Sequence, residues 1–204
     1  MEFKIDINCD VGEGVGNEAA LLPLISSCNI ACGGHAGTVE SMTDVALLAQ
    51  ENNVKIGAHP SYPDKVNFGR QSMHIGLSAL KESLRDQMKV FTSILNKNGL
   101  KLHHIKPHGA LYNDIVTNND LADFFLETIK DYKQEVFLYV PFASQIASKA
   151  IAQNFKIKYE AFGDRKYNND LTLVERKLPQ AVIESPEEVL QQLLLIIQKN
   201  EVEP

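Results

Sequence analysis

Apolar positions along the chain fall into short β-compatible runs separated by longer stretches of helical spacing. Residues 3 to 9, FKIDINC, alternate apolar and polar and run into Asp10 and a glycine cluster. Residues 27 to 32, SCNIAC, are β-compatible and again end in glycines. Between 39 and 53, Val39, Met42, Val45, Ala46 and Ala49 recur at helical steps, and Asn52 and Asn53 close the run. The same reading predicts strands at 54–59, 102–106, 135–140 and 157–162. It predicts helices at 77–98, at 120–131, at 144–153 and from Pro186 onward, where proline suits a first turn. In the helix at 77–98, Leu80, Leu84, Met88, Phe91 and Leu95 mark one apolar face. Strands alternating with helices predict right-handed βαβ crossovers and a parallel sheet. Six such units are more than half of a (β/α) barrel, and a doubly wound open sheet has the same periodicity, so periodicity leaves the two open. With no linker, repeat or low-complexity tract, residues 1–204 read as one domain.

Polar residues concentrate where these strands end. Asp10 and Glu13 follow the first strand, His35 the second and His59 the third; Lys106 and His108 follow the fourth, and Asp164 and Arg165 the sixth. In both parallel architectures the carboxyl ends of strands face the ligand, so these groups are expected to converge on one rim. An inward Lys106 beside His108 is costly unless a ligand uses it. His74, His103 and His104 read as solvated or packing positions. A metal held by Asp10 with His59 or His108 is chemically open, although no spacing demands it.

The composition narrows the function classes. The formal net charge is −6, with 44% hydrophobic and 23% charged residues, which is ordinary for a globular protein and lacks the basic footprint of a nucleic-acid binder. No apolar run is long enough for a membrane helix, and acidic residues interrupt the first residues where a leader peptide needs an apolar stretch. Three cysteines form no disulfide framework and read as buried free thiols, so a cytoplasmic location is expected. Gly12, Gly14 and Gly16 begin like a dinucleotide fingerprint, but the pattern breaks at Asn17 with no clear helix start. There is no phosphate-binding GxxxxGK[ST] loop and no GxSxG nucleophile elbow.

Several longer segments resemble the LamB/YcsF family, which comprises the A subunits of bacterial 5-oxoprolinase. They are Asn8 to Glu13 (NCDVGE), Asn29 to Gly37 (NIACGGHAG), Gly57 to Asp64 (GAHPSYPD), Phe68 to Arg70 (FGR) and Lys106 to Asn113 (KPHGALYN). Glu160 to Tyr167 and Arg176 to Ile183 continue the match, so it spans essentially the whole chain in order. The resemblance implies an α/β fold, an irregular parallel (β/α)7-type barrel of the glycoside hydrolase/deacetylase-like kind. It implies ATP-dependent opening of 5-oxo-L-proline to L-glutamate, with ATP as co-substrate, together with the two other 5-oxoprolinase subunits, B and C. In that reading Asp10, Glu13, His35, His59 and His108 supply general base and acid. Lys106, Arg70, Asp164, Arg165 and Tyr112 serve substrate binding, with Asp164 orienting Arg165. The family's seventh strand, ending in a His-Gly-Asp motif, is missing from this sequence, and Gln180 stands where the family has glycine. The expected consequence is a sheet edge covered by the apolar last helix or by a second copy of the chain, with a homodimer favoured. Two other readings stay beside this one: a stand-alone amide hydrolase or deacetylase with a divalent metal, and a non-catalytic ligand-binding remnant.

Overall fold

In the computed structural model of the chain, residues 5–199 and 201–202 are described. Among them six strands form, β1 (Asn8–Val11), β2 (Ser27–Ala31), β3 (Lys55–His59), β4 (His104–Ile105), β5 (Phe137–Pro141) and β6 (Lys156–Glu160). Seven α-helices accompany them: α1 (Glu18–Leu21), α2 (Val39–Glu51), α3 (Leu77–Lys97), α4 (Gly109–Thr117), α5 (Asn119–Thr128), α6 (Gln145–Ala152) and α7 (Pro186–Lys199). The strands follow one another in the sheet in chain order, and every register from β1 to β5 is parallel. Sequential order is the winding of a barrel, since a doubly wound sheet reverses direction at a switch point. Among the described residues there is no seventh strand, and β1 and β6 are the sheet's edges.

The chain divides into two compact units, Met1–Val140 with Ser144–Lys158, and Pro141–Ala143 with Tyr159–Pro204. In the larger unit the amphipathic helices cover the sheet. Leu80, Leu84, Met88, Phe91 and Leu95 of α3 are buried together with Met42, Val45, Ala46 and Ala49 of α2. Helix α2 starts in a capping box, in which the Thr38 side chain accepts from the Ser41 amide and the Ser41 hydroxyl accepts from the Thr38 amide.

The other face of the sheet is polar, in three layers set by the two-residue period of the strands. At the strand starts the Asp6 carboxylate accepts from Lys55 Nζ (3.2 Å), Tyr139 OH (3.2 Å), Lys158 Nζ (3.2 Å) and Ser27 Oγ (2.6 Å). One carboxylate beside β1 therefore touches a lysine on β6. Six strands laid flat would hold the edge strands about 24 Å apart, beyond any such contact, so the sheet curls. In register across the strands, the middle layer holds Asp10, Asn29, Gly57 and His104, with Asn8, opposite Ser27, bonded to Asn29. The third layer holds His59 and Lys106.

Some elements differ from the sequence reading. The first strand begins at Asn8, whereas the alternation predicts a start at residue 3, and residues 3 and 4 lie outside the described residues. A four-residue helix, α1, does start just after the Gly12–Gly16 cluster. Helix α4, directly after His108, is not predicted by the spacing. Cys28 and Cys32 are buried free thiols, but Cys9 is only half-buried. Burial pushes both buried thiols up to about 12, which makes them inert.

Candidate active site

Each functional side chain sits where a strand of the larger unit ends. Asp10 is on β1, His59 closes β3, and Lys106 and His108 follow β4. Glu13 and His35 stand on the loops after β1 and β2. Two loops fold back to complete the site. The first, after β1, is held by the Glu18 carboxylate, which accepts from the Gly12 amide (3.1 Å). The second, between Pro60 and Arg70, passes through Phe68 at φ 55°, a left-handed conformation unusual for a bulky residue. That turn brings the Phe68 carbonyl onto His108 Nε2 (2.9 Å). Gly69 lies against both His35 and His108, so that a Cβ there would meet their side-chain carbons at 3.0 and 3.1 Å. Buried Gln87 of α3 fixes the start of this loop, accepting from the Ser61 amide (3.0 Å) and donating to the Ser61 carbonyl (2.9 Å).

The resulting cluster is dense. Glu13 Oε1 lies 2.9 Å from His35 Nε2, 3.3 Å from His108 Nδ1 and 3.9 Å from His59 Nε2. His59 Nε2 is 2.9 Å from His108 Nδ1 and 3.4 Å from Asp10 Oδ2. The His35 and His108 rings stack at 3.6 Å, within 4° of parallel. Lys106 Nζ donates to Asp10 Oδ1 (3.3 Å), and Asn29 Nδ2 donates to the same oxygen (2.7 Å). The three histidines are buried, while the Asp10 side chain is 35% and Glu13 12% exposed, so the carboxylates face the solvent side of the cluster.

Charge states follow from these contacts. Burial pushes the Asp10 carboxyl up, but the charge of His59 when that ring is protonated and the charge of Lys106, with the bond from Asn29, outweigh it and hold the group well below the usual carboxylate range. Burial lowers His35, against the opposing pull of Glu13. Burial, reinforced by the neighbouring His59 and His35, brings His108 down to about 2, so it is a neutral ring at neutral pH. An ionised carboxylate beside an ammonium, and a second carboxylate among imidazoles, can bind a polar substrate, accept a proton from water and return one to a leaving group.

Asp10, Glu13, His35, His59, Lys106 and His108 are thus brought together. Arg70 is exposed at the margin, its guanidinium carbon 4.8 Å over the Phe68 ring, which itself packs edge-on against His35 and His108. Tyr112 is buried within α4. Asp164 and Arg165 belong to the smaller unit. There Arg165 Nε donates to the Ala181 carbonyl (3.2 Å) and Nη2 to the Val174 carbonyl (2.6 Å), so the side chain staples its own unit.

Sequence reasoning misses the layer beneath. His104 is completely buried and its Nε2 donates to Asn29 Oδ1 (2.7 Å), which orients the Asn29 amide so that Nδ2 points at Asp10; the same amide also bonds Asn8. From sequence His104 reads as a solvated or packing position. It does pack, stacked 4.0 Å from Tyr139, and it also orders the support of Asp10. The usable signal is Asn29, a polar residue mid-strand between apolar Cys28 and Ile30.

Comparison with known proteins places this architecture. The model of the LamB/YcsF family matches residues 5–204. A Neisseria meningitidis protein, named as the A subunit of 5-oxoprolinase, is 37% identical over 98% of this chain and 81% of its own length. One of the same name from Pyrococcus horikoshii is 38% identical over 96% of this chain and 78% of its own. The crystal structure of a lactam utilization protein from Thermus thermophilus superposes with a TM-score of 0.91 at 31% identity, covering 98% of this chain and 83% of that one.

Proposed function

This chain belongs to the LamB/YcsF family, and from that membership and the site geometry we propose that it is the lactam-opening component of an ATP-dependent 5-oxoprolinase. The observation that carries the reading is the convergence of two carboxylates, three histidines and a lysine on the carboxyl ends of β1 to β4, in a chain whose relatives are named for lactam chemistry. A five-membered lactam resists water because its nitrogen lone pair is delocalised onto the carbonyl. Transfer of a phosphoryl group from ATP to the lactam oxygen, releasing ADP, ends that delocalisation. Water then adds to the carbon, the C–N bond breaks and the nitrogen takes a proton. The resulting acyl phosphate is hydrolysed by a second water to L-glutamate and phosphate.

In this scheme the groups around Glu13 and the histidines activate water and return the proton to nitrogen. Lys106, held by Asp10, stabilises the charge that develops on oxygen. Arg70 at the margin meets the substrate carboxylate, for which its planar fork is suited. The chain has no phosphate-cradling loop, so ATP is assigned to the two partner subunits. The isolated chain is therefore expected to lack oxoproline-dependent ADP release, and mixing with both partners to produce it. Appreciable activity of the isolated chain would contradict this division of labour.

A further inference from the structure

Two hydrogen bonds decide which atoms of the cluster carry protons. His59 Nδ1 is 2.7 Å from the Lys106 carbonyl oxygen, and His108 Nε2 is 2.9 Å from that of Phe68. A carbonyl oxygen only accepts, so each of these nitrogens bears the ring's hydrogen. In neutral rings the other nitrogens, His59 Nε2 and His108 Nδ1, then carry lone pairs. These two atoms face each other at 2.9 Å, and a carboxylate oxygen, Glu13 Oε1, faces both. Three electron-rich atoms aimed at one point repel unless a cation lies between them. His35 adds a fourth donor, its Nε2 2.9 Å from the same carboxylate oxygen.

We infer that Glu13, His35, His59 and His108 together bind one divalent transition-metal ion, with zinc the best fit. One donor atom from each residue lies within 4.8 Å of all the others. Around a tetrahedral zinc with bonds of about 2.0–2.1 Å, neighbouring donors are roughly 3.4 Å apart; the spacings of 2.9, 3.3 and 3.9 Å bracket that figure. Three imidazole nitrogens and one carboxylate oxygen suit zinc and its neighbours, not the all-oxygen preferences of calcium or magnesium. The carbonyls of Lys106 and Phe68 hold the outer nitrogens as outer-sphere acceptors commonly do for ligating histidines, fixing tautomer and ring orientation. Glu13, not the Asp10 considered from sequence, is the carboxylate of the set. Asp10 gives Oδ1 to Lys106 and Asn29, and its Oδ2, 3.4 Å from His59 Nε2, stands next to the ion. An ion there acidifies a bound water or polarises an amide carbonyl. The inference does not depend on which amide is cleaved, or on ATP.

The test uses the purified full-length chain, stripped with chelator, and needs no turnover. Cobalt(II) titration followed by visible absorption, and zinc calorimetry, are expected to give one equivalent bound, with d–d bands of a low-coordinate nitrogen/oxygen site and a raised Tm. Magnesium at the same concentration is expected not to compete. Glu13→Gln and His59→Ala are expected to weaken binding by roughly tenfold to a hundredfold or more, at least the loss seen when an outer-sphere partner is removed, and to abolish the Tm gain. Exposed His74→Ala should bind as wild type. Circular dichroism of each apo variant separates ligand loss from unfolding. No binding by the wild-type chain, meaning that a shared proton alone joins His59 to His108, overturns the inference, as does unchanged binding by Glu13→Gln. One bound equivalent in a chain that fails to support oxoproline turnover would overturn the proposed function and leave this site standing.

Discussion

Asp10 occupies its place because a fully buried histidine orients a buried amide beneath it: His104 donates to Asn29, and Asn29 donates to Asp10. Room for the His104 ring comes from Gly57, paired in register with both Asn29 and His104, where a Cβ would run into that ring. Gly57→Ala is therefore an overpacking substitution on rigid neighbours. It is expected to cost about 1–3 kcal/mol, read as a lowered denaturant midpoint, with a larger fractional loss of activity because Asp10 is displaced. A second residue-scale prediction concerns acid. Burial alone would raise the Asp6 carboxyl, but the bonds from Ser27, Lys158 and Lys55 bring it down to about 2 from an ordinary 3.8. A depressed folded-state value means its contribution is complete above the unfolded pKa near 3.8 and is lost as pH falls from there toward 2. That contribution is on the order of 2 kcal/mol, and Asp6→Asn should flatten this part of a stability-against-pH curve. The rim residues are readable from sequence because titratable side chains directly after strands have few structural uses. Asn8, Asn29 and His104 are not, because a short strand's two-residue alternation does not tell which of its faces turns inward until the sheet curls.

Elements with a long period are the most legible. Helix α3 shows the apolar face that the spacing of Leu80, Leu84, Met88, Phe91 and Leu95 requires, and it differs from expectation by one residue at its end. Phe91 is completely buried in that face. Phe91→Ala is expected to cost about 3–5 kcal/mol without changing the chemistry of the rim, which thermal unfolding with a parallel binding assay would separate. Short elements are less legible. Helix α4 begins at a glycine with φ 57°, immediately after the His108 that serves the site, and its nine residues include β-branched Ile115, Val116 and Thr117. Tertiary contact supports it instead, through the Ala110 amide donating to the Gly69 carbonyl (2.9 Å). Strand β4 has only two residues where the sequence predicts five; Pro107, which has no amide hydrogen, stops the ladder on its carboxyl side.

At the scale of the molecule, periodicity predicts the alternation of strands and helices but is silent on winding. The sequential strand order and the reach of Asp6, just before β1, to Lys158 on β6 decide for a curled, singly wound sheet. Curling gathers Asp10, His59, Lys106 and His108 from three strands around one point, which is why a site can exist at all in residues so far apart in the chain. Among the described residues no helix is long and apolar enough to cross a membrane. The central claim is that this gathered rim opens a lactam when ATP is supplied through partner subunits. Its most direct test is L-glutamate formation from 5-oxo-L-proline and ATP by the chain reconstituted with both partners, comparing wild type with Asp10→Asn, His108→Ala and His74→Ala. The account predicts turnover by wild type and His74→Ala and its loss in the two rim variants, with all four chains folded. Equal turnover in all four would contradict it.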